Sequence, residues 1–465
     1  MTHNNERMLF IILICFIVSI ASSLFGFYTG VINGTWGGLE LAFNSHYTGL
    51  SVNVASMLVS CAIGAFFAGH LADVYGRRSI LLIIALLFMV SAWGSGISDT
   101  QEAFILYRSL GGLGAGAASV IVPMYIAEVA PARYRGSLGA ILQVAVIIGL
   151  LVAFASNYVL VNVAGGVNQV FWFEYAAWRW MFWVELLPSF IFLVGLLFIP
   201  ESPRYLVLHG QHQKAITVLT RLYGRFIGEA MYLEISLTLS EAHLPRFSDL
   251  KDQTTGRMKK VVWVGLGLAV FQQITGINIY YYYGVIFWQA VGFSETDGLL
   301  FNIILAVISL VACLFTLIFI DRWGRKIFLL VGSVGMTVSL AVLLFVFFQK
   351  ESGIPKAFLL EHTDWIIIIA TNAYVFFFSL SWGPVMWVLL GEMFPHQIRG
   401  SALAICGMAL WSANLLTVTL FIVLLTFWGL MNAYILYTLM ALLSIIFVYK
   451  YVYETKGKKL ESMES

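Results

Sequence analysis

The sequence predicts an all-α membrane protein in which 12 transmembrane helices form two pseudo-repeated six-helix bundles. Three observations support this. The chain is 60% hydrophobic and only 11% charged, it holds twelve long apolar segments, and its two halves repeat the same motifs at matching places. A soluble domain carries roughly 25% charged residues. Lipid is therefore expected to be the solvent for most of this surface.

Each apolar segment is long enough for a helix that crosses a bilayer, which takes about 20 residues. Inside lipid a helix satisfies its own backbone, and no barrel-like alternation is present, so the segments are predicted to be helices. A signal peptide is the alternative for residues 1–33, but that run is too long and has no suitable cleavage site. Spans 1 to 12 are predicted at 8–33, 52–72, 79–98, 103–126, 137–160, 178–199, 261–289, 299–320, 328–348, 366–391, 401–425 and 430–452.

Basic residues predict the orientation. If the N terminus is cytoplasmic, all but four of the 26 Lys and Arg residues lie in the cytoplasmic segments. The exceptions are Lys350 and Lys356 in outer loops, and Arg108 and Arg179 within or at the edge of spans. Positive charge is enriched on the cytoplasmic side of membrane proteins. Both termini are therefore predicted to be cytoplasmic, in a multi-pass protein of the plasma or inner membrane.

One long polar segment, about 201–260, separates six spans from six. The predicted organisation is an N-terminal six-helix bundle at 1–200, a cytoplasmic linker with short helices at 201–260, and a C-terminal bundle with a short tail at 261–465. Within the linker, Ala215, Val218, Leu219 and Leu222 share one face of a predicted surface helix.

Charged motifs recur at matching positions of the two halves. Asp73-Val-Tyr-Gly-Arg-Arg78 follows span 2 as Asp321-Arg-Trp-Gly-Arg-Lys326 follows span 8, and a Glu-x6-Arg-Gly-Ser pattern follows spans 4 and 10. Such repetition indicates a duplicated transporter with a central site between its halves. Arginines that bond acidic residues and helix C-termini predict a latch between the halves when the cytoplasmic side is closed, and ordinary positive-inside charge is the alternative. The predicted gate residues are Asp73, Arg77, Arg78, Glu128, Arg135, Asp321, Arg325, Glu392 and Arg399.

Five further motifs carry a resemblance. They are GRR at 76–78, PESPRYL at 200–206, QQITGIN at 272–278, SWGPVMWVLLGEMFP at 381–395 and ETKGKKLE at 454–461. In combination the chain resembles the sugar porter family of the major facilitator superfamily, especially bacterial proton-coupled xylose and glucose transporters, and the facilitative glucose transporters share the motifs. The resemblance implies alternating access of a monosaccharide between the two bundles.

A neutral sugar needs amides that donate and accept hydrogen bonds and an aromatic face against its C–H surface. By similarity, Gln143, Gln272, Gln273, Asn278 and Trp387 match sugar-contacting positions, and Tyr282 lines the same cavity. Asn414 in span 11 is a further candidate. The alternative is that these amides bond helix to helix and the aromatics pack or face lipid. Ser309 and Leu410 occupy positions where the family usually carries amides. Whether the substrate is a hexose or a pentose is therefore left open.

Tyr28 is the main departure from the proton-coupled relatives. They carry an Asp at this position of span 1, near the arginine that matches Arg108. Tyrosine, with a reference pKa near 10, stays neutral and does not carry a proton at working pH. We therefore expect a facilitator in which Arg108 takes Glu185 as its countercharge. The alternatives are a proton symporter that uses Glu185 as carrier, and a Tyr28 that only fills a helix face.

Other functions are disfavoured. No P-loop is present, and the glycines of Gly111-Gly-Leu-Gly-Ala-Gly116 are expected to pack helices, since no strand precedes them. The four cysteines lie in apolar spans without metal-type spacing. We expect no enzymatic activity, cofactor, metal or nucleic-acid partner, and a protein that works as a monomer in the bilayer. A non-transporting sugar sensor would need a longer cytoplasmic tail, and an exporter on the same fold is a further alternative.

Overall fold

The computed structural model describes the backbone at residues 2–45, 47–130, 135–241, 250–251, 256–351, 363–394 and 398–456. Within these ranges twelve spans are present, as predicted. Those of the N-terminal half are Thr2–Val31, Tyr47–Tyr75, Arg77–Ile97, Gln101–Val129, Arg135–Ala164, and the pair Ala177–Trp183 and Leu186–Phe198. Those of the C-terminal half are the pair Lys260–Ile274 and Ile277–Val291, then Glu295–Trp323, Arg325–Glu351, the pair Thr363–Leu380 and Trp382–Met393, Arg399–Phe427 and Gly429–Tyr451.

The predicted boundaries differ from the observed helices in two ways. Several helices extend beyond their apolar segments, because polar residues continue a helix outside the hydrocarbon. Spans 6, 7 and 10 are each broken into two helices, whereas the sequence predicts a continuous helix in spans 6 and 10. The loosening expected at the glycine of span 7 is confirmed: Gly276 separates its two helices with φ of 94°, a backbone conformation that glycine adopts readily.

Successive spans alternate in direction, so the bundle has two distinct faces. The start of span 1, the linker helices and the end of span 12 lie on one face, called the linker face. On the opposite face, called the hairpin face, Ile32–Gly34 forms a 3₁₀ turn, Trp36–Phe43 a short helix, and the strands Val170–Trp172 and Tyr175–Ala176 an antiparallel hairpin.

The linker contains three helices, Pro203–Leu208, His212–Tyr223 and Arg225–Glu241. Ala215, Leu219 and Leu222 are buried on one face, which confirms the predicted amphipathic helix. Tyr223 donates a hydrogen bond of 2.5 Å to the carbonyl of Val129 at the end of span 4. The linker helices therefore pack on the N-terminal half.

Candidate transport site

The break in span 7 brings three of the predicted sugar-site amides together. Gln273 Nε2 donates to Gln272 Oε1 at 2.7 Å, and Asn278 Nδ2 donates to Gln273 Oε1. All three side chains are buried, and Gln272 also donates to the carbonyl of Trp382 on span 10 at 3.4 Å. Gly276 lets the chain turn between the glutamines and Asn278. The result is a connected row of amides that can both donate and accept, as a neutral polyol requires.

Gln143 reaches the same region from the other half. Its Nε2 atom lies 3.6 Å from the position that a Cβ atom on Gly383 would occupy, directly after Trp382. A side chain larger than hydrogen at Gly383 would therefore contact Gln143. Amides of both halves thus border the same short stretch of span 10, which is where a substrate bound between the halves would lie.

The remaining predicted residues, Tyr282, Asn414 and Trp387, lie on spans 7, 11 and 10. Tyr282 is buried beside Asn414 and Thr29, so it lies between spans 1, 7 and 11. Trp387 lies about one turn beyond Gly383 on span 10 and is 37% exposed. Its ring therefore has a free face, whereas the amides are enclosed.

Tyr28 packs directly on Arg108, and both side chains are buried. The guanidinium carbon of Arg108 lies 3.7 Å from the centre of the Tyr28 ring, a cation–π contact. The hydroxyl of Tyr28 donates to the carbonyl of Arg108, and Arg108 donates to the carbonyl of Tyr28 at 2.8 Å. A Cβ atom on Gly111 would clash with the Tyr28 ring, so small residues of span 4 create this space. Tyr28 therefore bonds to Arg108 as well as filling a helix face.

The expected ion pair between Arg108 and Glu185 is not formed. Within the described ranges, both carboxylate oxygens of Glu185 are buried and lack a hydrogen-bond partner, as does Nε of Arg108. Glu185 lies at the break of span 6, close enough to Arg108 for an electrostatic interaction but without direct contact. The guanidinium lies on the ring of Tyr28 instead.

The predicted charge clusters form on the linker face. Arg77 contacts Asp73 at 2.8 Å and Glu128 at 3.1 Å, and Arg325 contacts Asp321 at 2.9 Å and Glu392 at 2.7 Å. Arg78 instead donates to the carbonyls of Leu196 and Leu197 at the end of span 6, both at 2.9 Å. The side chains of Arg135 and Arg399 lie outside the described residues.

Each of these clusters joins helices within one half. A latch between the halves is predicted for a conformation whose cytoplasmic side is closed. In the present conformation each arginine starts a span and bonds acidic residues of its own bundle, so the latch stays a prediction. The contacts stabilise the two bundles separately.

Two acidic residues that sequence reasoning missed complete the clusters. The carboxylate of Glu201 accepts from the backbone nitrogens of Arg77 and Arg78 at 3.0–3.2 Å. The carboxylate of Glu454 accepts from those of Arg325 at 2.9 Å and Lys326 at 3.0 Å. These bonds cap spans 3 and 9, where backbone N–H groups have no partner in the helix. In the sequence, the signal for these caps is a Glu that follows span 6 and span 12 by a few residues.

Asn33 is a third residue that sequence reasoning missed, and it joins the halves at the hairpin face. Its amide nitrogen donates to the carbonyls of Tyr280 at 2.8 Å and Tyr281 at 3.2 Å, and its oxygen accepts from the nitrogen of Val285 at 2.8 Å. Span 7 leaves helical geometry at Tyr283, so these backbone groups lack their usual partners. Asn33 replaces the missing helical hydrogen bonds.

Trp36 adds to this closure. Its indole nitrogen donates to the carbonyl of Tyr282 at 2.8 Å, and its ring lies 5.1 Å from that of Tyr283. Asn302 of span 8 also donates to the Asn33 oxygen at 3.2 Å. In this conformation the hairpin face is closed between spans 1, 7 and 8.

The fold and site define a membrane transporter with two pseudo-repeated halves and a polar site between them. Residues 14–465 match the family described as "Sugar (and other) transporter". The glucose transport protein of Synechocystis is 44% identical and covers 99% of this chain and 98% of its own. The D-xylose-proton symporter of Escherichia coli is 33% identical, covering 98% and 95%.

Solved structures give the same result. The proton:xylose symporter XylE bound to 6-bromo-6-deoxy-D-glucose superimposes with a TM-score of 0.82 at 33% identity, covering 98% of this chain and 99% of that one. The inward open conformation of XylE from E. coli gives 0.79 at 32% identity, covering 98% and 99%. The chain belongs to the sugar porter family of the major facilitator superfamily, and it is a multi-pass protein of the cell membrane.

Proposed function

We propose that the protein moves a monosaccharide across the membrane by alternating access between its two halves. The row of amides formed by Gln272, Gln273 and Asn278 supports this, together with Gln143 from the other half. Relatives named for glucose and for xylose transport support a hexose or a pentose as substrate. Trp387 supplies an exposed aromatic face for the sugar ring.

The orientation is part of the proposal. The linker face, which carries the basic loops, is placed in the cytoplasm, because positive charge is retained there. The hairpin face then lies outside. With the hairpin face closed by Asn33, this conformation blocks sugar exchange with the outside.

We further propose that transport is facilitated and follows the sugar gradient. The observation that carries this is the contact between Tyr28 and Arg108, in which an aromatic ring and a hydroxyl replace a proton-carrying acid. A tyrosine side chain, with a reference pKa near 10, does not gain or lose a proton near neutral pH. The binding of a sugar then has no obligatory proton step at this position.

The test is uptake of labelled glucose and xylose into liposomes that contain the purified protein, with and without an inward proton gradient. We expect the internal sugar to reach the external concentration and stop there in both cases. Accumulation above that level, lost on adding a protonophore, would overturn the facilitator. Failure to transport or bind any sugar in a panel of hexoses and pentoses would overturn the substrate class.

Proton symport through Glu185 is the second candidate. The observation in its favour is that the carboxyl group is buried with both oxygens unpartnered among the described residues. Ionisable groups inside membrane spans commonly mark proton relays. If the liposomes accumulate sugar, Glu185→Gln should abolish accumulation while leaving counterflow exchange intact, since only proton coupling is lost.

The remaining expectations stand as proposals. We propose that the protein acts as a monomer with domain boundaries at 1–200, 201–260 and 261–465. The relatives named above are transporters by name, which gives a non-transporting sensor no support. Uptake by the liposomes would exclude the sensor directly.

A further inference from the structure

The hairpin between spans 5 and 6 has an unusual turn. Its strands, Val170–Trp172 and Tyr175–Ala176, are joined by Phe173 and Glu174, whose φ angles are 51° and 62°. Turns of this kind favour Asn-Gly, because positive φ is disfavoured for residues with bulky side chains. A phenylalanine there is a strained choice that surrounding structure must compensate.

Trp180 provides that compensation from beneath the hairpin. Its ring centre lies 5.8 Å from that of Trp172 and 6.3 Å from that of Phe173, and its indole nitrogen donates to the Trp172 carbonyl at 3.2 Å. The hairpin is thereby held in place. Even so, Phe173 remains 82% exposed and Trp172 61% exposed. The turn presents aromatic rings outward.

These rings continue the apolar surface of the spans. Trp180 contacts Trp183 at 5.1 Å between ring centres, and Trp183 contacts Trp93 of span 3 at 6.3 Å. Trp93 is 52% exposed and Leu187 of span 6 is 67% exposed, on helices that cross the membrane. One aromatic surface thus runs from the lipid-facing side of spans 3 and 6 to the tip of the hairpin.

The position of the hairpin along the membrane normal follows from span 6. That span, Ala177–Phe198, begins directly after the second strand and has 22 residues. At 1.5 Å per residue it rises about 33 Å, close to the thickness of the hydrocarbon core, which is about 30 Å. The hairpin therefore lies at the level of the lipid headgroups.

The polar groups of the hairpin indicate the same depth in the membrane. The outer edges of a two-stranded hairpin and the Glu174 carboxylate need water or headgroups, which excludes the hydrocarbon. The exposed Trp172 and Phe173 rings gain from leaving bulk water. Amphipathic aromatic side chains are enriched where both needs are met, at the membrane–water interface.

We propose that the aromatic hairpin, residues 170–176, inserts into the headgroup region at the hairpin face and anchors the N-terminal half to the lipid there. Its partner is the bilayer surface. The anchor acts independently of sugar recognition, since its residues lie outside the amide row.

The test places an environment-sensitive fluorophore on Val170→Cys of the full chain in phosphatidylcholine liposomes. A matched label on Ala42→Cys, an exposed residue of the short helix Trp36–Phe43 on the same face and between spans 1 and 2, serves as the control. The four native cysteines are buried, and unsubstituted protein sets the labelling background. Quenching is measured with lipids that carry a nitroxide near the headgroup, and with aqueous iodide.

We expect the lipid nitroxide to quench the label at 170 at least twofold more than the label at 42, with the reverse order for iodide. Phe173→Asn, which suits the positive φ and keeps the turn, combined with Trp172→Ser should bring the label at 170 to the control values. Equal iodide quenching at both sites in the parent protein would place the hairpin in water and overturn the proposal. Protection of the label at 170 from both quenchers would indicate a protein partner and would also overturn the proposal. The proposal would fail as well if quenching by the lipid nitroxide stayed unchanged in both Phe173→Asn and the double variant.

Discussion

At the scale of single residues, Tyr28 and Arg108 show how a buried cation is held without an acid in contact. The guanidinium lies on an aromatic ring, and its partners include the Tyr28 carbonyl and the sulfur of Met57 at 3.1 Å. A desolvated cation–π contact contributes about 2 kcal/mol or more. We therefore expect proton coupling at this position to depend on which side chain residue 28 carries.

Tyr28→Asp is predicted to make transport depend on pH. A carboxylate beside Arg108 would be charged at neutral pH and neutral when protonated, whereas tyrosine is neutral throughout. The measurement is liposome accumulation under an inward proton gradient. Tyr28→Phe, which keeps the ring on Arg108 and loses only the hydroxyl, is the control and should stay a facilitator. If Tyr28→Asp still only equilibrates sugar, residue 28 does not decide coupling.

Gln272→Ala is predicted to weaken sugar binding by about tenfold. It removes an amide whose hydrogen bonds to a ligand contribute about 1 kcal/mol each and are replaced by nothing. The measurement is the Kd for glucose or xylose by tryptophan fluorescence or calorimetry. Asn162→Ala removes an exposed amide that bonds within its own helix and should leave the Kd unchanged. Equal affinity of Gln272→Ala and the parent would assign Gln272 to helix packing alone.

At the scale of elements, the sequence predicts the spans well, because the bilayer fixes their length and polarity. It does not predict the kink of span 7 at Tyr283, because the hydrogen bonds that stabilise it come from Asn33, in the other half of the chain. It predicts the arginine clusters from repetition, but not the carboxylates of Glu201 and Glu454 that cap spans 3 and 9. Which carboxylate an arginine meets depends on helix packing rather than spacing.

Asn33→Asp is predicted to favour opening at the hairpin face. The carboxylate still accepts from Val285 but no longer donates to the carbonyls of Tyr280 and Tyr281, and it repels them. Spin labels on Leu41→Cys and Thr296→Cys, both exposed on that face, would report a longer distance in pulsed dipolar measurements. Asn162→Asp introduces the same change at an exposed site and should not alter it. A shorter or unchanged distance in Asn33→Asp would contradict the assigned role.

Glu454 is predicted to stabilise the protein in a pH-dependent way. Burial opposes its charge, but hydrogen bonds from the backbone nitrogens of Arg325, Lys456 and Lys326 outweigh that effect and lower its pKa. The contribution of Glu454 to folding stability is fully present at pH values above its pKa in the unfolded chain, about 4.3. It is lost as the pH falls through the lower pKa of the folded protein. Glu454→Gln should therefore lower the Tm at pH 7, and the difference from the parent should shrink below about pH 4. Glu174→Gln, at an exposed site, is the control, and a difference independent of pH would exclude the charge as the cause.

At the scale of the whole molecule, the contacts indicate which helices move as one unit and which move relative to each other. The ion clusters and caps tie spans within each half, and Tyr205 donates to the carbonyl of Val74 at 3.2 Å, which ties the linker to span 2. The hydrogen bonds of Asn33 and Trp36 instead cross between the halves. Alternating access is expected to break the contacts between the halves and to preserve the contacts within each half.

Distances across the linker face are therefore predicted to change with the transport cycle, while those between the linker and the N-terminal half stay fixed. A label pair on Tyr75→Cys and Lys450→Cys spans the two halves, and a pair on Tyr75→Cys and Leu208→Cys lies within one unit; all three residues are exposed. Adding a saturating transported sugar should shift the first distance distribution by several ångströms and leave the second unchanged, because only interdomain contacts are broken. A shift of the second pair would mean that the linker moves independently of the N-terminal half. A first pair that stays fixed, in protein that transports the same sugar, would contradict rocking of the halves at this face.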